Sequence, residues 1–184
     1  GSLLGLIRHQ NIIPHDDDID LGIFDKDFER ASKALEKMCD HFNITVQDED
    51  KTEKTYPVKF VRQPNWDYML KIYVPDLWAE NTETKKIYGT PTIDFFRFKK
   101  AGEYIKLQNH KQRLQFGPQC YYRKEEMFPL IKRKFDYFEV YSPNKPIPFL
   151  HRYYGSDCLT TVKIDSRQSD NPMLKDRNDI TISS

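Results

Sequence analysis

The sequence predicts an α+β domain on a mixed or mainly antiparallel sheet with flanking helices. Three observations carry this reading. Period-two alternation recurs in short runs such as "DIDLGIF" (18–24) and "TPTIDFFRF" (90–98). Helical spacing of apolar residues is confined to separate segments, clearest in "DKDFERASKALEKMCDHF" (25–42). The two kinds of segment are interspersed without a regular βαβ rhythm, and no internal repeat is present.

Each element follows in order. "SLLGLIRHQ" (2–10) has apolar residues at 3, 4, 6 and 7 and reads as a short helix with Ser2 placed as its N-cap. Pro14 closes the connecting turn, because it cannot continue a helix. In the strand at 18–24, Ile19, Leu21 and Ile23 share one face and are assigned to the core. Asp18, Asp20 and Gly22 share the other. The helix at 25–42 is expected to be capped by Asp25 and to bury Phe28, Ala31, Leu35 and Met38. Strands are predicted near 43–47, 57–62 and 68–74, with a polar excursion over 75–89 and an aromatic, central strand over 90–98. Residues 100–120 favour no single element. A strand pair is predicted over 130–141, then a helix capped at Asn144 and stopped at Gly155. The domain is taken as 1–160, and 161–184 as a loose polar tail.

Composition narrows the function classes. A chain of 184 residues accommodates one domain with a real core. The apolar fraction is low at 38%, but twelve Phe and eleven Tyr compensate in buried area per residue. Formal net charge is +1, with 29 basic against 28 acidic residues, so nothing gathers nucleic acid and no nucleic-acid partner is expected. Cys39, Cys120 and Cys158 are far apart, which argues against a zinc site or a disulfide framework and leaves one disulfide open. No stretch is apolar enough to span a bilayer. The abrupt opening "GSLLGLIRH" reads as the interior of a structured element, so a truncated front end is expected.

The chemistry concentrates at "PHDDDIDLGIF" (14–24). Residues i and i+2 of a strand point the same way, roughly 6.5–7 Å apart at Cα, so Asp18 and Asp20 project side by side. Two carboxylates so placed repel each other unless a cation sits between them. A hard divalent ion bound through oxygen, Mg²⁺ or Mn²⁺, meets that need. A third carboxylate is available in "TIDFF": Asp94 lies between Ile93 and Phe95, a costly position for an acid that is neither paired nor metal-bound. If the two strands are neighbours, Asp94 stands about 5 Å across from the pair. Two other readings stand beside this one. A solvated acidic turn accounts for Asp16 and Asp17 but less well for Asp18 and Asp20. A calcium loop fails because its sixth position holds Leu21 where Gly is required.

These residues resemble a family. "GSLLGLIRHQNIIPHDDDIDLGIF" is similar to the signature of the LicD/fukutin phosphotransferases, G-[ST]-LLG-x-x-R followed by P-W-DDDID, with His15 in place of the Trp. The wider pattern resembles the nucleotidyltransferase (polymerase β-type) fold: a Gly-Ser pair, D-h-D-h on a strand, then h-D-h on a neighbouring strand. Gly1-Ser2, Asp18-Ile19-Asp20-Leu21 and Ile93-Asp94-Phe95 fill the three slots in order. "SPNKPIPFLHRYYGSDCL" resembles the family's closing element.

The resemblance implies a metal-dependent enzyme. It would move a phospho-substituent (phosphocholine, ribitol phosphate or sugar phosphate) from a CDP- or other nucleotide-diphosphate-activated donor to a glycan hydroxyl. Asp18, Asp20 and Asp94 would hold Mg²⁺ or Mn²⁺, and Asp94 could also take or orient the acceptor's proton. Gly1 and Ser2 open a helix whose free N–H groups can face phosphate oxygens, and Arg8 can pair with the donor's phosphates. Lys71 can face the site from its strand. Arg8 and Lys71 also read as ordinary surface cations, and Tyr154 reads as a packed aromatic at a helix stop. The alternatives are transfer of the nucleotidyl group itself with release of pyrophosphate, or an inactive domain that binds a ligand or partner. The compartment implied is the cytoplasm for a bacterial member and the Golgi or secretory lumen for a eukaryotic one.

Overall fold

The computed structural model describes residues 1–14, 16, 18–47, 50–62, 69–75, 92–162 and 180–181. His15, Asp17, nearly all of the 75–89 excursion and most of the 161–184 tail lie outside the described residues. The elements in chain order are α1 (Ser2–His9), β1 (Asp18–Phe24), a 3₁₀ turn (Asp25–Asp27), α2 (Phe28–Cys39), β2 (Asn43–Gln47), β3 (Glu53–Pro57), β4 (Lys59–Arg62), β5 (Met69–Tyr73) and β6 (Thr92–Ala101). They continue with β7 (Tyr104–Leu107), α3 (His110–Gln115), β8 (Tyr121–Arg123), α4 (Lys124–Met127), β9 (Ile131–Phe135), β10 (Phe138–Ser142), α5 (Pro146–Tyr154), β11 (Thr161–Val162) and β12 (Ile180–Thr181). This is an α+β fold.

The main sheet runs β4-β5-β6-β7-β8, and β1 joins it along β6. β1 pairs parallel to β6, and the other pairings of this sheet are antiparallel, so the sheet is mixed. α2 covers the face of the sheet that carries Leu70, Ile72, Ile93 and Phe95, and fully buries Phe28 there. Strand alternation therefore sends Lys71 and Asp94 to the opposite face. A second apolar cluster joins α1 to α5, where Leu4 meets Phe149 and Leu150. The β9–β10 hairpin docks on the end of α1, with the Asp136 N–H donating to the Gln10 carbonyl at 2.5 Å.

The structure revises several local expectations. Leu21 is 39% exposed rather than part of the core, because the α2 cover reaches Ile23 and goes no further along β1. Met38 is exposed as well, and Ser32 and Cys39 take the inward positions of α2. Gly1, not Ser2, caps α1: its carbonyl accepts the first helical bond, from Gly5 N at 2.9 Å. Asp25 does not cap α2, since its carboxylate accepts from Arg97 Nε at 2.6 Å and the 3₁₀ turn intervenes. α5 begins after Lys145 rather than Asn144, with Pro146 at its first position, where a missing N–H costs nothing. Residues 100–120 resolve into β7 and α3, the latter capped by the Asn109 side chain. Within the expected tail, Thr161 and Val162 pair with Thr181 and Ile180.

Candidate active site

The site is assembled by the β1–β6 pairing. In its parallel register Asp18 stands opposite Thr92, and Asp20 opposite Asp94. The strand alternation read from "DIDLGIF" and "TIDFF" then brings three carboxylates together. One oxygen from each of Asp18, Asp20 and Asp94 lies within 4.8 Å of the others. Asp94 is buried, Asp18 half-buried and Asp20 exposed. The sequence-predicted triad is thus brought to one point.

Lys71 joins it. β5 pairs with β6 so that Lys71 stands opposite Asp94, and its Nζ lies 2.7 Å from Asp94 Oδ1. Both side chains are nearly buried, at 12% and 11% exposure, so Lys71 is not a solvated surface cation. The ammonium supplies one positive charge against three carboxylates and leaves the cluster strongly anionic.

The Gly1-Ser2 pair is tied to the same strand. Ser2 Oγ accepts a hydrogen bond from the backbone N–H of Asp20 at 2.7 Å, which fixes the start of α1 against the second aspartate. A Cβ at Gly1 would meet Asp16 Oδ2, the tip of a side chain that would have to swing aside. Gly5 is a second close approach, where a Cβ would fall 2.5 Å from the Asn11 carbonyl oxygen. Arg8 lies further along α1. Its Nε and Nη2 are buried without a hydrogen-bond partner.

Sequence reading misses three neighbours. Asp16, assigned to a solvated turn, has Oδ2 buried without a hydrogen-bond partner beside Gly1. Tyr154 packs edge-on against Tyr153, as expected of a helix stop, but its hydroxyl also accepts from Gly1 N at 2.8 Å. Cys120, in the turn before β8, lies close enough to feel the Asp20 charge. Asp16 leaves a trace as the first acid of "DDDID", and Tyr154 in the "YYG" stop. Nothing in local spacing links residue 120 to residue 20.

The electrostatics follow from crowding. Asp20 is open to solvent on one side but flanked by protein on the others. This partial desolvation raises its carboxyl pKa; Asp94 and Asp16 add to the rise, and Lys71 opposes it. Burial, aided by the Asp20 charge, pushes the Cys120 thiol up to about 11, so it is a neutral thiol at physiological pH. Burial also raises the Tyr154 hydroxyl, with Tyr153, Asp20, Asp16 and Cys120 adding to it.

The donor set fits a hard cation. Three carboxylate oxygens within 4.8 Å of one another can close on one ion with metal–oxygen distances of about 2.0–2.6 Å. No sulfur or imidazole is in the set, which points away from soft metals.

Residues 1–145 match the family model described as LicD/FKTN/FKRP, nucleotidyltransferase domain. The chain belongs to this family. Its members are in general transferases of phosphate-containing groups that use nucleotide-activated donors and glycan acceptors. The match stops just before α5, yet α5 packs on α1 and brings Tyr154 to Gly1. Among curated proteins, the chain is 30% identical over 154 residues to an uncharacterized protein of Rickettsia prowazekii, covering 84% of this chain and 45% of that one. It is also 30% identical over 155 residues to an uncharacterized protein of Rickettsia typhi, covering 84% and 38%. The chain thus spans less than half the length of these relatives. No helix among the described residues is long and apolar enough to cross a membrane.

Proposed function

We propose that this LicD-family domain transfers a phospho-substituent, of the phosphocholine, ribitol phosphate or sugar phosphate type, from a CDP- or other nucleotide-diphosphate-activated donor to a glycan hydroxyl. The observation that carries the reading is the register of β1 against β6, which sets Asp20 opposite Asp94 and gathers three carboxylate oxygens within 4.8 Å. Asp18, Asp20 and Asp94 would hold Mg²⁺ or Mn²⁺. The cation would supply charge neutralisation along the donor diphosphate.

The chain's own groups do the rest. Gly1 has no side chain to cap α1, so the N–H groups of the first turn are available to phosphate oxygens. Arg8, with two buried guanidinium nitrogens lacking partners, is assigned to the donor's phosphates. Asp94 orients the acceptor hydroxyl and receives its proton, and Lys71 beside it limits the build-up of negative charge. The acceptor oxygen forms a bond to phosphorus, the bond from phosphorus to the nucleotide's bridging oxygen breaks, and the nucleoside monophosphate leaves.

The test is calorimetric titration of Mn²⁺ with and without CDP, on the chain and on Asp18→Asn/Asp20→Asn. Binding that CDP strengthens and the double variant loses by at least about 100-fold is expected. A folded chain that takes up no Mn²⁺ would sink the reading. In a donor screen, release of CMP rather than pyrophosphate separates this transfer from nucleotidyl transfer.

A further inference from the structure

Tyr154 is bound into the site by geometry that its place at the end of α5 does not require. Its hydroxyl accepts from Gly1 N at 2.8 Å, and the next residue, Ser2, holds the Asp20 N–H at 2.7 Å. The phenol and the second aspartate are therefore anchored to consecutive residues at the start of α1. A phenol carries one donor and can accept through its lone pairs. The bond from Gly1 uses an acceptor position and leaves the O–H to donate, and that O–H has no acceptor among the described residues. The ring is held by packing: Tyr153 lies edge-on at 4.7 Å, and the α1–α5 cluster surrounds it. Two residues earlier, Arg152 bonds both oxygens of the buried Glu126 at 3.1 and 2.8 Å and pins this end of α5 to α4. A half-buried hydroxyl so braced, beside an anionic cluster and a helix N-terminus that no side chain caps, is built to donate to an oxygen that arrives with a ligand.

We propose that Tyr154 is a ligand-binding residue that donates its O–H to a non-bridging phosphate oxygen of the diphosphate group drawn to the Asp18/Asp20/Asp94 cation site. The assignment rests on the function proposed above and adds a contact from outside the segment matched by the family model. The Tyr154 hydroxyl and the first-turn N–H groups of α1 would hold the diphosphate, and Asp18, Asp20 and Asp94 would hold the cation that neutralises it. The phenol acts as a neutral donor, so it adds direction without adding to the charge balance.

Tyr154→Phe removes the hydroxyl and keeps the ring. The probe is inorganic pyrophosphate, titrated by calorimetry into chain saturated with Mn²⁺, with Mn²⁺ affinity measured separately. Tyr153→Phe, which loses a hydroxyl from the same turn, is the control. The expected result is unchanged Mn²⁺ affinity, about tenfold weaker pyrophosphate binding in Tyr154→Phe, and wild-type pyrophosphate binding in Tyr153→Phe. Equal pyrophosphate affinity in wild type and Tyr154→Phe overturns the proposal and leaves the cation site standing. A wild-type chain that binds Mn²⁺ but no pyrophosphate also overturns it. Absence of Mn²⁺ binding overturns both this proposal and the functional reading beneath it. If Tyr154→Phe weakens Mn²⁺ itself, the hydroxyl supports the carboxylates rather than the ligand, and the proposal falls.

Discussion

Lys71 and Asp94 form a nearly buried ion pair at 2.7 Å, at the point where the site requires an acid inside an aromatic strand. Removing one partner of such a pair leaves an uncompensated charge, at a cost of about 3 kcal/mol. Lys71→Met is therefore expected to lower urea-unfolding stability by about that amount, and Lys71→Met/Asp94→Asn to recover much of it. Saturating Mn²⁺ should also narrow the Lys71→Met deficit, because the cation takes over the role of the ammonium. A deficit that Mn²⁺ leaves untouched would mean that Lys71 acts in packing alone. Asp18, Asp20 and Asp94 are legible as a group because each acid is interleaved with apolar residues, an arrangement a solvated turn does not need. Asp16 is not legible in this way because its neighbours, His15 and Asp17, are both polar, and nothing local indicates that one of its oxygens is buried against Gly1.

α1 shows how an element is held in place by what it lacks. Gly5 sits within the helix, where alanine would ordinarily gain about 1 kcal/mol from propensity. Here the added methyl would stand 2.5 Å from the Asn11 carbonyl oxygen and 3.0 Å from Ile13 N, both of them backbone atoms that cannot swing aside. The clash should win, so Gly5→Ala is expected to destabilise by about 1–3 kcal/mol in thermal or urea unfolding. It should also weaken Mn²⁺·CDP binding, because α1 carries both the Ser2 anchor on Asp20 and the first-turn N–H groups. An unchanged midpoint would show that the Asn11–Pro14 turn can yield. The periodicity of α1, α2 and α5 and the Gly155 stop of α5 are readable in the sequence, but the N-caps are not. Ser2 and Asp25 have the right chemistry for capping, yet each is taken by a more distant partner, the Asp20 N–H for one and Arg97 for the other.

Across the molecule, the Glu126–Arg152 pair links β8, α4 and α5. Glu126 is 4% exposed; it accepts two bonds from Arg152 and one from the Arg123 N–H, and Arg152 also donates to the Tyr121 carbonyl at 2.7 Å. Burial pushes the Glu126 carboxyl up, but the Arg152 and Arg123 hydrogen bonds outweigh it and hold it below the ordinary value of 4.5. A carboxyl lowered in the folded state contributes stability that is fully present above its unfolded pKa and is lost as pH falls through its folded one. The wild-type chain should therefore lose stability below pH 4.5 in part through this group. Glu126→Gln should be less stable at neutral pH by about 3 kcal/mol, and the gap should close in acid. Urea titrations at neutral and acid pH check this, and a gap independent of pH would remove Glu126 from the account. Sequence reading does not single out either residue, because they are 26 positions apart and belong to different helices.

Local order and patterning by themselves determined the α+β class, the positions of most strands and the three aspartates. They do so because alternation, helical spacing and misplaced charge are properties of neighbouring residues. Tertiary structure alone decided which strand lies beside which. The parallel register that sets Asp20 against Asp94, the antiparallel register that sets Lys71 against the same carboxylate, and the docking of α5 that brings Tyr154 to Gly1 all join residues far apart in the chain. Each is selected by the burial of a whole face at once: a strand shifted by one residue would turn its apolar side to water, and no short window of sequence contains that choice.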